Sequence, residues 1–314
     1  MVVILDGGLS THLEDLGATI SDDALWSAKL LLTDDGIAVV EKAHSDFMLA
    51  GADIISTVTY QAFVPTARVT STRSTESMVE LFVKGVEAAK RARDKFMQLH
   101  PERSFVRVAV SLGSYGAVLA NGAEFTGVFD GISMDDLVEF HAAKLAVAVQ
   151  QKPDLVAFET IPSVFEARAV VAALEKVSKT TPIPQAWISF SCSSGETVCS
   201  GETIEDCVAA VRDSEHVFAV GVNCTKPQFV QKILETYKSG LVGTGKSIMC
   251  YPNKGELWDS EKREWVAEDN AKSQETFSRL AQGWIKVGAS IVGGCCRISP
   301  GHIHAVREQI GKAE

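Results

Sequence analysis

Short apolar runs rich in Val, Ile and Phe recur along the chain, and each closes on small or polar residues. They are Val2–Leu5 closing at Asp6, Asp53–Ser56 closing at Thr57, Val106–Val110 closing at Ser111, and Leu155–Phe158 closing at Glu159. The second half adds Ala186–Phe190, Val217–Val222 closing at Asn223, Ser247–Cys250 before Tyr251, and Ser290–Val292 closing at Gly293-Gly294. Runs of this length with little polar alternation suit strands buried on both faces, as in a parallel sheet. Between them the period becomes helical. Apolar stripes run through Ile37, Val40, Ala43, Phe47 and Met48, through Met78, Leu81, Phe82 and Ala89, and through Leu137, Phe140, Leu145 and Val149. A further stripe, Phe277, Leu280, Trp284 and Val287, precedes the last strand. Eight strands alternating with helices predict an α/β fold, a single (β/α)8 TIM barrel with a final helix after Pro300. A doubly wound open sheet is the structural alternative. No linker-like stretch interrupts the pattern, so one domain is expected across residues 1–314, with Asn121–Gly131 a long loop after the third strand.

In such a barrel, chemistry gathers at the C-terminal ends of the strands. Here those ends carry Asp6, Thr57, Glu159, Asn223, Cys224, Cys295 and Cys296, which the fold would bring to one mouth. Composition narrows what that mouth serves. The net charge of -10 comes without any basic run, which argues against a nucleic-acid surface. No apolar stretch approaches the roughly 20 residues of a membrane helix. The apolar start Val2–Leu5 stops at Asp6 with no basic residue before it, so no signal peptide is expected. Seven cysteines, an odd number with two adjacent, predict a reduced, cytoplasmic protein whose thiols serve ligation or chemistry.

Gly293-Gly294-Cys295-Cys296-Arg297 closes the eighth strand, and Gly221-Val222-Asn223-Cys224 closes the sixth. Three thiolates from two strand ends suit one Zn2+ and leave a fourth tetrahedral position open, the mark of a working zinc site. Cys224 alone would read as a small buried residue; the adjacent pair changes that balance. Cys192, Cys199, Cys207 and Cys250 lack such a context and read as core or surface thiols. Three thiolates make zinc a weak Lewis acid, yet one that favours deprotonation of a fourth thiol. The chemistry suggested is transfer to sulfur.

At this point the sequence resembles the homocysteine S-methyltransferase family nearly end to end. The likeness rests on Leu5-Asp6-Gly7-Gly8 with Thr11 and Leu13-Glu14, Leu25-Trp26-Ser27-Ala28, Thr59-Tyr60-Gln61-Ala62 and Ser114-Tyr115-Gly116-Ala117. It continues through Phe158-Glu159-Thr160-Ile161-Pro162, Gly221–Cys224, Tyr251-Pro252-Asn253 and Gly293–Arg297. The resemblance implies a (β/α)8 barrel with Cys224, Cys295 and Cys296 holding Zn2+ and homocysteine sulfur as fourth ligand. It places Asp6 and Gly7 around the amino-acid end of homocysteine, with Glu159 receiving the ammonium. Thr57 and Asn223 become pocket hydrogen-bonding residues, and Trp26 offers an aromatic face to a sulfonium donor. Without the family, Glu159 could equally be a structural strand-end carboxylate, Asp6 a turn or helix cap, and Trp26 loop packing. The implied partners are small molecules: homocysteine and a sulfonium donor, S-methylmethionine or S-adenosylmethionine. No nucleic acid and no membrane are expected.

Betaine- and selenocysteine-type methyl transfer within the family, and a non-catalytic zinc-binding barrel, are the alternatives. Only 18 residues follow Cys296, which weighs against the betaine-type extension and favours a monomer or weak oligomer. The family commonly carries proline where this chain has Ser114, so the donor loop is expected to be set differently. Two further patterns compete for attention. Gly240–Ser247 fits the P-loop pattern, but a helix is predicted before it and a strand after it, the reverse of a phosphate-binding turn. His302 and His304 fall at the start of the predicted last helix and read as solvated helix residues.

Overall fold

The computed structural model describes residues 2–129, 131–255, 257–259, 264–266 and 273–311. Eight parallel strands form one sheet: β1 (Val3–Ile4), β2 (Ile54–Ser56), β3 (Arg107–Gly113), β4 (Leu155–Ile161), β5 (Ala186–Phe190), β6 (Val217–Asn223), β7 (Ser247–Tyr251) and, last in the chain, β10 (Ile291–Val292). Between β7 and β10 lies a separate antiparallel pair, β8 (Leu257–Asp259) and β9 (Glu264–Val266). Each barrel strand pairs with its sequence neighbour among the eight, and β10 pairs with both β7 and β1. The ring closes between β1 and β2 through a Leu5–Ile54 bridge, where Asp53 N donates to Ile4 O at 2.7 Å and Asp6 N to Ile54 O at 3.0 Å. That closure makes the sheet a TIM barrel and removes the open-sheet alternative.

The larger helices are α2 (Asp34–Ala50), α3 (Thr75–Leu99), α5 (Met134–Gln150), α6 (Val164–Ser178), α8 (Pro227–Gly240), α9 (Gln274–Val287) and α10 (Pro300–Gly311). Shorter ones are α1 (Leu9–Asp15), α4 (Tyr115–Leu119) and α7 (Ile204–Val211). Local sequence sets the starts: Thr33, Ser74, Ser133, Ser163, Thr203 and Ser273 each accept a backbone N–H of the following turn, relieving a donor the helix cannot pair itself. The predicted stripes of α2, α3, α5 and α9 all face the barrel.

Period-two alternation within the strands makes two cores. On β4, Val156 and Phe158 pack outward under the helices, while Leu155 and Ala157 point inward with Trp187, Ala219, Met249 and Tyr251. The inner core fills the lower barrel, so polar inward positions occur only near the mouth. Several strands therefore run further than their apolar runs suggest. β3 continues past Val110 through Ser111 to Gly113, β4 past Phe158 through Glu159 to Ile161, and β6 takes in Asn223. Ser111, Glu159 and Asn223 are strand residues, tolerated there because each finds hydrogen-bond partners across the barrel. The long loop after β3 contains α4 and a 3-10 turn over Ala123–Phe125; Asp130 lies outside the described residues.

The P-loop pattern is placed as its order predicts, with α8 before it and β7 after it. Lys246 Nζ donates to Ser214 O at 2.6 Å and Val217 O at 2.5 Å, tying the start of β7 to that of β6 at the end of the barrel opposite the mouth. His302 corrects the expectation of a solvated residue. It is buried, its ring edge-on to Phe277 at 5.8 Å and its Nδ1 2.9 Å from Ser299 Oγ, because α10 turns that face onto α9. His304 is exposed.

Phe158 is wholly buried between the barrel and its helical layer. Phe158→Ala should lower stability by about 3–5 kcal/mol, read from urea unfolding curves, because the close-packed layer cannot collapse onto the void. A loss under about 1 kcal/mol would show that this layer is loosely packed.

Candidate active site

The turn after β10 is built on backbone contacts so close that glycine is required. A Cβ on Gly294 would lie 2.2 Å from Ile298 Cγ2, and one on Gly293 would lie 2.7 Å from Leu5 Cβ and 2.8 Å from Asp6 O. Across the gap the loop after β1 has the same need: a Cβ on Gly7 would lie 2.3 Å from Ile298 O, and one on Gly8 2.5 Å from Cys295 O. The two loops are stitched by Gly294 N to Asp6 O at 2.9 Å and Gly8 N to Ile298 O at 2.8 Å. The loop after β7 adds Pro252 O, which accepts from Cys295 N at 2.9 Å, while Lys254 N donates to Cys296 O at 3.2 Å. Gly7 thus serves steric fit between loops.

This scaffold presents Cys295 and Cys296 towards Cys224 at the end of β6. The Sγ atoms of Cys224 and Cys296 are 3.8 Å apart, those of Cys295 and Cys296 3.9 Å, and all three lie within 4.8 Å of one another. Thiolates about 2.3 Å from a tetrahedral zinc stand roughly 3.8 Å from each other. The donor set and its spacing fit such an ion. Cys224 holds a left-handed backbone, φ 46°, a conformation a non-glycine residue keeps only when its surroundings enforce it. All three thiols are free and partly accessible. Three such groups cannot all ionise side by side. Hydrogen bonds from Cys224 and Cys295 hold Cys296 well below the usual thiol range, and the same sharing, with burial, pushes Cys224 up. A dication would relieve that competition.

A second set of groups lines the mouth beside the thiols. Glu159 points inward from β4, its Oε1 accepting from Ser111 Oγ on β3 and its Oε2 from the Tyr251 phenol on β7 at 3.1 Å. Trp187 Nε1 donates to the same phenol at 2.9 Å, and Ser189 Oγ also lies within hydrogen-bond distance of it. Burial pushes the Glu159 carboxyl up to about 7, helped by nearby Cys295 and opposed by the Ser111 and Tyr251 hydroxyls. Asp6 is also buried, its Oδ2 accepting from Ser56 N at 2.7 Å. Burial raises it well above the carboxylate range, and Glu159 and Cys295 add to the rise. Asp6, Glu159 and the thiols therefore share one electrostatic site.

Thr57 and Asn223 are buried and bonded within the protein. Ser111 N donates to Thr57 Oγ1 at 3.0 Å, Thr57 lies 2.6 Å from Thr59 Oγ1, and Thr59 donates to Ser111 O at 2.8 Å. This ring sets Ser111, and through it Glu159. The β4–β5 ladder shifts register between Phe158 and Ile161, with Thr160 turned to φ 61°. Asn223 Oδ1 accepts the Thr160 amide at 2.9 Å and its Nδ2 donates to Thr160 Oγ1 at 2.8 Å. Asn223 thus locks the bulge that aims Glu159. Trp26 is half-buried, opens the 3-10 turn Trp26–Leu32 at φ 48°, and belongs to the β1–α2 connection rather than to a strand end.

Ser111, Ser189 and Trp187 belong to none of the motifs in the sequence, and Tyr251 enters there only beside Pro252-Asn253, with no role attached. Their signal is parity: Ser111, Ser189 and Tyr251 each sit two residues past an inward apolar neighbour, Ala109, Trp187 and Met249. Glu124 was hidden in the expected loop.

Comparison with known proteins agrees with this geometry. The homocysteine S-methyltransferase family model matches residues 3–310. A homocysteine S-methyltransferase of Arabidopsis thaliana is 39% identical over 98% of this chain and 93% of its own length. A selenocysteine Se-methyltransferase of Brassica oleracea is 38% identical over 98% of this chain and 88% of its own. The metallated form of the homocysteine methyltransferase MmuM from Escherichia coli superposes with a TM-score of 0.82 at 28% identity, covering 98% of this chain and 96% of that one. The barrel, the three-thiol cluster at its mouth and these matches lead to one statement: the chain belongs to the homocysteine S-methyltransferase family.

Proposed function

We propose that this enzyme moves a methyl group from a sulfonium donor, S-methylmethionine or S-adenosylmethionine, to the sulfur of L-homocysteine, forming methionine. The observation that carries this is the Cys224–Cys295–Cys296 cluster, whose spacing suits zinc and whose three thiols, each partly accessible, leave a fourth tetrahedral position to a substrate sulfur. Zinc held by these three thiolates would lower the pKa of a substrate thiol and keep its sulfur electron-rich. Among the described residues, no helix is long and apolar enough to cross a membrane. Seven free cysteines suit a reducing compartment, so we place the protein in the cytoplasm, as one domain acting on small molecules.

The chain's own residues bind and orient. Glu159, fixed by Ser111 and Tyr251, receives the homocysteine ammonium, and Asp6 stands beside it at the amino-acid end. Thr57 and Asn223 hold Ser111 and the β4 bulge, so the carboxylate meets its partner without reorganising. Trp26 faces the donor. The homocysteine thiolate then attacks the donor methyl carbon in line. A new carbon–sulfur bond forms as the old one breaks, its electron pair staying on the departing sulfur, which leaves as a neutral thioether. The thiol proton has gone to solvent. No side chain needs to act as a nucleophile, and positioning supplies the rate. A selenol acceptor is a second reading, favoured by the relative named as a selenocysteine methyltransferase.

Purified protein supplied with homocysteine and each donor in turn should form methionine, and selenocysteine as acceptor tests the second reading. Cys296→Ala should lose both bound zinc and turnover; full turnover in a metal-free Cys296→Ala protein would overturn the proposal. Glu159→Gln should keep its zinc yet bind homocysteine more weakly by about 2–5 kcal/mol in calorimetry. Methionine, which has no thiol proton, isolates the pH dependence. Because Glu159 titrates about 7, a proton neutralises it as pH falls, and affinity for methionine should drop below that pH. In Glu159→Gln that drop should vanish; an unchanged profile would remove Glu159 from the ammonium site.

A further inference from the structure

Glu124 stands in the connection between β3 and α5, over the top of the barrel. It is 7% exposed, and its Oε2 is buried with no hydrogen-bond partner. A buried carboxylate oxygen without a donor is costly to the fold. The loop nevertheless leaves it little freedom to leave. Lys144 Nζ donates to Gly113 O, and Tyr115 N donates to Glu166 Oε1 at 2.5 Å, at one end of the segment. At the other end Glu124 O accepts from Ser191 Oγ at 2.9 Å. Between them, Gly116 packs so tightly that a Cβ there would lie 2.3 Å from Glu124 N. The fold holds an unsatisfied acid in position.

The backbone fixes its place. Glu124 lies in the connection leaving the mouth end of β3, and its carbonyl accepts from Ser191 Oγ, one residue past the mouth end of β5, so the residue sits over that end of the barrel. Hydrogen bonding separates the three carboxylates of this end. Glu159 accepts from Ser111 and Tyr251, and Asp6 accepts from the Ser56 backbone N–H. Of the three, Glu124 alone keeps a buried oxygen without a donor. A sulfonium carries a full positive charge but has no N–H or O–H to donate. It suits a carboxylate oxygen that the protein has left without a donor.

We propose that Glu124 is the counter-charge for the positive sulfur of the methyl donor, and so a determinant of donor binding. This rests on the sulfonium-to-homocysteine function proposed above. The test is steady-state kinetics of zinc-loaded Glu124→Gln with S-methylmethionine at saturating homocysteine. The donor KM should rise about tenfold or more, while zinc content and homocysteine affinity stay as in the unaltered protein. Glu124→Asp, which keeps the charge, should recover part of the loss. Thermal stability of the Gln variant should hold or rise, since a buried unpaired charge is removed; a structural role would lower it. Trimethylsulfonium should compete with the donor better than uncharged dimethyl sulfide in the unaltered protein, and the Gln variant should lose that preference. An unchanged donor KM, an equal fall in homocysteine affinity, or an Asp variant no better than Gln would overturn the assignment. Absence of turnover by the unaltered protein with either sulfonium donor would instead overturn the reaction itself, and the two failures appear in different proteins.

Discussion

Too much negative charge in too little water is the condition under which the mouth of this barrel exists. Asp6, Glu159 and Glu124 are carboxylates lifted from their usual range chiefly by burial, and three thiols crowd within 4.8 Å beside them. In water these groups would ionise and separate; here the barrel holds them together. Burial and mutual repulsion then act as one force, which a cation relieves. A dication among the thiols, an ammonium at Glu159 and a sulfonium nearby are three forms of that relief in the proposed reaction. Binding and chemistry draw on free energy that folding has left unsatisfied.

Rigidity makes the arrangement useful. Thr57, Thr59, Ser111, Glu159, Ser189, Asn223, Tyr251 and Trp187 join β2, β3, β4, β5, β6 and β7 in one largely buried hydrogen-bond network. Its members other than Glu159 are buried, so each bond forms in a medium where leaving it unmade would be expensive. The left-handed turns at Cys224 and Thr160 sit on the edges of this network and are held by it. A carboxylate and a sulfur placed this firmly need little reorganisation when a substrate arrives.

The glycines of the β1 and β10 loops explain how residues from the two ends of the chain meet. Side chains at positions 7, 8, 293 and 294 would force the loops apart by ångströms, and Cys295 and Cys296 would move with them. The hydrogen bonds between these loops continue the β1–β10 pairing beyond the sheet. The metal-ready cluster is thus a by-product of barrel closure, carried outward by backbone that has no Cβ to obstruct it.

Much of this was legible in the linear pattern. Continuous apolar runs marked the strands because a parallel barrel buries both faces, and the helical stripes marked the layer outside. Paired cysteines with two glycines before them announced ligation, since adjacency and chemistry are local properties. β3 and β4 run two residues past Ser111 and Glu159, where their apolar runs close, because the tolerance of these polar residues inside strands depends on partners 48 to 92 residues away. His302 looked solvated for a similar reason: what covers it belongs to another helix. Sequence by itself determined the alternation, the caps and the kinds of chemistry available. Only the tertiary structure decided which carboxylates are buried and which oxygen is left unpaired, because desolvation and distance across a barrel are made by closing the ring.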